Sequence, residues 1–531
     1  MPEKSSLPPP ANCDSLLQAL SVTSDVVGLK TPAMEDATGA RLNYFQLWLK
    51  LHMLGEALDK ELGTQQRVGV LLPTSVVAAV TFFGLHRVGR IPVMLNFSAG
   101  LAANQSAIKI TELDYIITSR TFVAKANLED FASTIGKTTN IIYLEDISKR
   151  ISKLKALAAL PKLLMGVPAD WVPDTNPEAP AVILFTSGSE GVPKGVVLSH
   201  RNLLSNMAQV KEHLEFSASD KMFNKLPVFH SFGLTVGTLL PPILGFPVYF
   251  YPSPLQYKQI PPLVKETGAT IFPSTDTFLR GYASQAGADD FAGLRMVVAG
   301  AERLKPATTE LYKKKFDIDI IQGYGVTETS PVASANTPEN NVTDSVGTLL
   351  PHMEARVEPV EGIEEGGELH LKGPNVMLGY MKDEKPGVLQ PAGQWYNTGD
   401  VVRMDGDRIF ITGRLKRFAK IGGEMVSLAV VEEIAFEASP DAAHAAVTIA
   451  DERKGEQIVL LTEDAGLSRE QLIAAGKKLD AAELYIPKKV QAVDEVPRLG
   501  NGKINYIAAK KLVEQRAQCD TPINQPEAVN Q

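Results

Sequence analysis

Cysteine is scarce: Cys13 and Cys519, near opposite ends of 531 residues, are too few for a disulfide framework or a thiolate metal cluster. That scarcity suits a reducing compartment. An excess of positive charge is also missing. With 53 Lys and Arg against 61 Asp and Glu, the formal net charge is −8, which gives nucleic acid no general basic footprint to bind. Nor is there a clean membrane span of about 20 apolar residues. Pro73 divides the uncharged run 68–85, and Pro241, Pro242, Gly245 and Pro247 divide the run 226–257. Both read as buried core, and a peripheral membrane contact is expected, if anywhere, near the second. The opening segment MPEKSSLPPPANCDSLLQAL has no continuous apolar stretch behind a basic start, so it does not read as a secretory signal. The expectation is a cytoplasmic protein, at most peripheral to the inner face of the membrane.

What is present is the composition of a large globular enzyme: 44% apolar, 21% charged, 41 Gly and 35 Pro. Short apolar runs at 181–185, 270–272, 296–299 and 318–321 read as strands, and 202–214 reads as an intervening helix. The alternation predicts an α/β fold of mostly parallel sheets covered by helices. The texture changes at GRLKRFAKIGG, where four basic residues fall within 413–420 and paired glycines follow. A domain boundary and flexible joint are expected there, dividing the chain into 1–412 and 413–531.

Four segments carry chemistry. After the strand-like AVILF comes Thr186-Ser187-Gly188-Ser189-Glu190-Gly191-Val192-Pro193-Lys194-Gly195. Backbone amides, hydroxyls and one cation on such a loop can wrap phosphate oxygens that bulkier side chains would keep away. The spacing differs from a nucleotidase P-loop, since Pro193 precedes Lys194 and Gly195 follows it; alone, the loop also reads as a surface turn. Next, Gly323-Tyr324-Gly325-Val326-Thr327-Glu328 follows a strand end, where α/β sheets bind ligands. Tyr324 can stack on a base, Thr327 can meet phosphate, and Glu328 offers magnesium a hard oxygen. Tyr396-Asn397-Thr398-Gly399-Asp400 presents a carboxylate suited to paired ribose hydroxyls. Pro497-Arg498-Leu499-Gly500-Asn501-Gly502-Lys503 raises a lysine on a glycine-rich loop. Each of the last three, taken singly, also reads as a turn or a solvated loop.

Together and in this order, the segments resemble the adenylate-forming superfamily of acyl-CoA synthetases, firefly luciferase and nonribosomal-peptide adenylation domains. The resemblance implies a large N-terminal domain of mostly parallel sheets covered by helices and a small mobile α+β C-terminal domain, with ATP and Mg2+ as cofactors. By the same resemblance, the stretch from Thr186 to Gly195 is the phosphate loop, with Thr186, Ser187, Gly188, Ser189, Gly191, Lys194 and Gly195 at the nucleotide. Gly300, Ala301 and Glu302 form the adenine-side loop, with Ala where many relatives have Gly. Gly323, Tyr324 and Gly325 adjoin adenine, Thr327 touches phosphate, Glu328 holds magnesium, and Asp400 and Arg414 contact ribose. Lys416 is the hinge, and Lys503 bridges the substrate carboxylate and the α-phosphate. His230, which by itself reads as a core histidine, matches a residue at the entrance of the acyl pocket. Once the small domain turns, Lys420, Gly422 and Gly423 face the pantetheine arm.

No acidic residue in 229–238 stands ready to hold a substrate amine, so a fatty acid is expected rather than an amino acid. The segments FTSGSEGVPKGVVLSH, LPVFHSFGLTVG, VVAGAE, QGYGVTE and GRLKRFAKIGGEMVSL most resemble the ligase half of the bifunctional 2-acylglycerophosphoethanolamine acyltransferase/acyl-[acyl carrier protein] synthetase. None of the eight histidines has Asp five positions later, the pattern of the acyltransferase half, so the ligase alone is expected. Acyl carrier proteins are acidic, and two basic groups suit one: Arg414, Lys416, Arg417 and Lys420, then Lys488, Lys489, Arg498, Lys510 and Lys511. Coenzyme A is the alternative thiol acceptor, and a catalytically silent nucleotide- or acyl-binding relative is the third reading.

Overall fold

The structure, a computed structural model, describes residues 12–187, 192–363, 365–421, 424–451, 455–479, 481–498 and 504–519. Gly188, Ser189, Gly191, Gly422, Gly423 and Lys503 lie outside the described residues. The chain divides into two compact units. The first comprises Met1–Ala355, Leu371–Tyr396 and Asp405–Ile409; the second comprises Arg356–His370, Asn397–Met404 and Phe410–Gln531.

Two mixed sheets build the first unit. One runs in the order Lys385–Pro391, Gly379–Lys382, Pro193–Ser199, Pro180–Ser187, Ile91–Met94, Arg67–Val70, Tyr115–Thr118, Asn140–Tyr143. Its last five strands are parallel, and the first three continue it antiparallel. In the other, Ile320–Gly325, Met296–Ala299, Ile271–Ser274, Met222–Asn224, Val248–Phe250 and Pro32–Asp36 lie parallel in that order. Helices cover these sheets, which is the α/β class expected from the alternation. Parallel strands buried on both faces need near-continuous apolar runs, and AVILF and MVVA supply them. The expected strands lengthen to Pro180–Ser187 and Ile320–Gly325, because the ladder extends into the glycine-bearing segments that follow. The helix expected at 202–214 is His200–His213, started two residues earlier by a Ser199/Asn202 capping box.

Both long uncharged runs are core through residue 250, except for the exposed Val77. Helix Val76–Arg87 crosses Tyr44–Leu62 so closely that a Cβ on Gly55 would lie 2.6 Å from the Gly84 carbonyl oxygen. The second run forms a π-helix, Phe232–Leu239, then helix Leu240–Leu244, nearly every residue of both being buried. Among the described residues no helix is long and apolar enough to cross a membrane.

In the second unit, strands Glu424–Ser427, Phe418–Ile421, Gly455–Thr462 and His444–Asp451 form a sheet that Lys489–Ala492 joins. Val426, Val431, Ile434, Leu460 and Leu472 form one core under helices Leu428–Ala438 and Arg469–Lys478, and Val447, Val459, Leu461 and Val513 form another.

Candidate active site

In the first unit two parallel strands end level beside a third that runs on to Gly325: Ser274 pairs with Ala299, and Ala299 with Gln322. Open α/β sheets bind ligands beyond such carboxyl ends. Gly300 leaves its strand donating its N–H to the Ser274 carbonyl at 3.0 Å. A Cβ there would meet the Phe232 ring at 3.3 Å and the Gly323 carbonyl oxygen at 3.7 Å, so the segment after Ala299, the Gly323-Tyr324 strand segment and the start of the π-helix converge. Gly325 tolerates no side chain, since a Cβ would stand 1.9 Å from the Pro331 carbonyl oxygen. Ala301 adopts a left-handed backbone at φ 65°, which costs an L-residue about 1 kcal/mol or more.

The structure gives Glu302 an anchoring task. Its carboxylate accepts the Thr277 N–H at 3.0 Å, while Asp276 accepts the Lys305 N–H at 3.0 Å, sewing the loop to the N-terminus of helix Asp276–Gln285. Lys225, which the sequence reading passed over, is wholly buried, donates to the Pro273 carbonyl and sits 3.3 Å from the centre of the Phe272 ring. Burial holds its amine well below the usual lysine range.

The charged centre lies around Glu328. This residue sits in the short turn Thr327–Thr329, is only 7% exposed, and accepts the Tyr380 hydroxyl at 2.7 Å. Tyr380 belongs to Gly379–Lys382, which pairs with Pro193–Ser199 so that Tyr380 faces Val196. Lys194, two residues along the same strand, therefore shares that face, with its Nζ 5.5 Å from the centre of the Tyr380 ring, and Thr186 is its cross-strand partner. The Tyr396 phenol lies beside the same pair and feels both the Glu328 carboxylate and Tyr380. Burial, then the adjacent carboxylate, pushes both phenols above their ordinary range, so both remain donors. Tyr380 is 52 residues from Glu328 in a segment with no spacing signal, and only strand pairing brings it there. Tyr396 opens the quoted motif that ends at Asp400, but its neighbour Tyr380 was not legible.

His230 follows a tight turn closed by its N–H on the Pro227 carbonyl at 3.0 Å. It is half-buried, its ring centre 4.7 Å from that of Phe229. The π-helix beyond packs without clearance: a Cβ on Gly237 would lie 2.4 Å from the Asn224 side chain, and one on Gly233 would lie 2.2 Å from the Pro227 oxygen. Irregular helices of this kind concentrate at functional sites.

In the second unit, Asp400 is 3% exposed and pairs with the Arg414 Nε at 2.7 Å. The Thr398 hydroxyl accepts the Asp400 N–H at 3.0 Å and donates to the Leu369 carbonyl at 2.8 Å, while Gly399 turns the chain at φ 70°. Lys416 and Lys420 are exposed. Arg417 is not a docking cation as the basic segment suggested. It bonds the Glu432 carboxylate at 2.6 Å and the Ala446 carbonyl at 2.7 Å, and stacks 3.5 Å from the Tyr506 ring centre. A guanidinium so engaged neutralises a buried carboxylate instead of presenting charge.

A magnesium ion suits these donors. Among the described residues no group of three His, Cys, Asp or Glu could hold a metal. Mg2+ needs no such cage when phosphates and water fill most of its shell, and one fixed carboxylate is enough. Glu328 has one oxygen engaged by Tyr380, which orients the carboxylate as such a ligand.

The family described as AMP-binding enzyme matches residues 26–381, more than half of the chain. The long-chain-fatty-acid–CoA ligase of Yersinia pestis is 27% identical over 486 residues, 84% of this chain and 85% of that protein. The indoleacetate–CoA ligase of Aromatoleum aromaticum is 29% identical over 502 residues, 90% of this chain and 94% of that protein. Among solved structures, the ATP-bound RpMatB-BxBclM chimera B1 is similar with a TM-score of 0.78 at 25% identity, covering 96% of this chain and 99% of its own. With the family model matched over residues 26–381, this chain belongs to the AMP-binding enzyme family, the adenylate-forming superfamily.

Proposed function

We propose that this chain is an AMP-forming acid–thiol ligase that activates a long-chain fatty acid and passes the acyl group to the phosphopantetheine thiol of acyl carrier protein. A carboxylate oxygen attacks the α-phosphorus of ATP, the bond to the β-phosphate oxygen breaks, and pyrophosphate leaves with acyl-AMP behind. The thiol sulfur then attacks the acyl carbon and AMP departs, the thiol proton passing to solvent. Two anions must approach in the first step. Lys503 meets the fatty carboxylate and the α-phosphate, while Lys194, Thr186 and Thr327 take phosphate oxygens. Magnesium, when bound at Glu328, neutralises charge that develops on the phosphates. Tyr324 stacks on adenine, and Asp400, held by Arg414, takes the ribose hydroxyls. In the second step the small domain turns about Lys416, withdrawing Lys503 and presenting Lys420, Gly422 and Gly423 to the pantetheine arm.

The observation that carries this reading is the buried Glu328 carboxylate held by the Tyr380 hydroxyl, with the Lys194 ammonium 5.5 Å from the centre of the same Tyr380 ring. Fatty-acid-dependent release of pyrophosphate tests it, and no release at any chain length would refute it. The choice of carrier protein follows the resemblance of the hinge segment, GRLKRFAKIGGEMVSL, and the exposed Lys416 and Lys420. Coenzyme A is favoured instead by the activities of both curated relatives. Parallel thioester assays decide between them: ligation to coenzyme A with none to holo-carrier protein overturns the first.

A further inference from the structure

Helix Lys153–Leu164 is apolar on two opposite sides. Ala159 and Leu163 are buried on the side that packs against Tyr44–Leu62. The other side faces solvent. Leu154 is 78% exposed, Leu157 63%, Leu164 71% and Met165, at the cap, 86%, the four most exposed large apolar side chains among the described residues. Their spacing, with Ala158 and Pro161 between, keeps one stripe on one face of a 3.6-residue repeat. At 100° per residue, Lys153 borders the stripe on one side and Lys155 and Lys162 border it on the other. From 147 to 165 the chain holds five basic residues and no acid, and three of the five pair with acids outside that stretch: Lys149 with Asp146, Arg150 with Glu61 and Lys155 with Glu56. Lys155 reaches Glu56 at 3.1 Å, and among the described residues Lys153 and Lys162 make no ion pair.

Soluble monomers rarely expose a contiguous apolar stripe, and one that persists marks a surface with a partner. The chemistry here selects the partner. The stripe is wholly aliphatic and offers no side-chain hydrogen-bond donor or acceptor with which to recognise one protein. Lysines on both borders suit a plane of negative charge, where their stems lie along the apolar region and their ammonium groups reach the head groups. We propose that this helix docks the protein on an anionic lipid bilayer, with Leu154, Leu157, Leu164 and Met165 entering the acyl boundary and Lys153, Lys155 and Lys162 meeting the head groups. The inference does not rest on the ligase reading, although it would place such an enzyme where a membrane-partitioned acid is found. It also moves the membrane contact from the run 226–257, whose residues through 250 are core, to a helix that the sequence did not single out.

Flotation of the full chain with vesicles of phosphatidylglycerol and phosphatidylcholine in equal parts, against phosphatidylcholine alone, tests the proposal. The protein is expected to float with the anionic vesicles and to be released by salt. Leu157→Glu with Leu164→Glu is expected to lower partitioning by at least about 10-fold, with thermal midpoint unchanged. Lys153→Glu with Lys162→Glu is expected to lower binding to the anionic vesicles alone. In a Leu157→Trp variant, indole emission shifts to the blue on adding anionic vesicles. A wild-type chain that stays with the soluble fraction overturns the proposal, as does a leucine variant that floats like wild type. So does a leucine variant that loses self-association or carrier-protein binding while vesicle binding persists, since the stripe is then a protein interface.

Discussion

Replacing Tyr380 by Phe removes one oxygen and leaves the ring beside Lys194 in place. The Glu328 carboxylate, 7% exposed, loses the donor at 2.7 Å that fixes its orientation. A hydrogen bond to a charged acceptor is worth about 1.5–3 kcal/mol, which at about 1.4 kcal/mol per decade is roughly 10- to 100-fold. Water and the Tyr396 hydroxyl can recover part of this, so the lower figure is expected. The loss should appear in the requirement for metal. In fatty-acid-dependent exchange of pyrophosphate with ATP, the Mg2+ concentration for half-maximal rate is expected to rise about 10-fold. Calorimetric binding of ATP without metal should stay unchanged, and binding with Mg2+ should weaken by the same factor. Tyr396→Phe, which leaves the Tyr380–Glu328 bond in place, should show the same pattern weakened. An unaltered Mg2+ dependence in Tyr380→Phe would refute the reasoning, as would an equal loss of metal-free ATP binding.

Lys503→Ala is expected to slow adenylate formation by about 100- to 1,000-fold while thiol transfer from supplied acyl-adenylate persists; rapid-quench assays of the separate steps check this, and equal loss of both refutes the role. Burial holds the His200 imidazole at about 4, below its free value of 6.5, as it accepts the Leu16 N–H at 3.3 Å. On acidification the unfolded chain binds this proton first, so stability present above pH 6.5 drains as pH falls towards 4, by up to about 3 kcal/mol. His200→Gln should flatten the fall of the urea midpoint across that window, leaving the part that belongs to the buried His52 and His86. Ala301→Gly relieves the left-handed backbone and should stabilise the chain by up to about 1 kcal/mol; a lowered thermal midpoint would contradict the strain.

The sequence alone determined whatever depends on neighbours within a few positions. The apolar runs 181–185 and 296–299 can be little but buried strands, and the glycines at 300, 323 and 325 mark backbone that comes close to something. Residue types in the motifs likewise state which ligand atoms they suit, and it was the resemblance of the four segments in their order that pointed to the family. Only the tertiary structure decided what each polar group does with its partners. Tyr380 joins Glu328 because two strands pair in one register, and a one-residue slip would send that phenol to the other face. Glu302, read as a loop residue near adenine, accepts an N–H in the first turn of a helix from Thr277, 25 residues earlier. Arg417, read as surface charge, is consumed by Glu432. The helix Lys153–Leu164 makes the same point for apolar groups. Periodicity shows that a side is greasy, but which of two greasy sides is covered depends on what the rest of the chain packs against it, and contact between distant residues leaves no trace in local spacing.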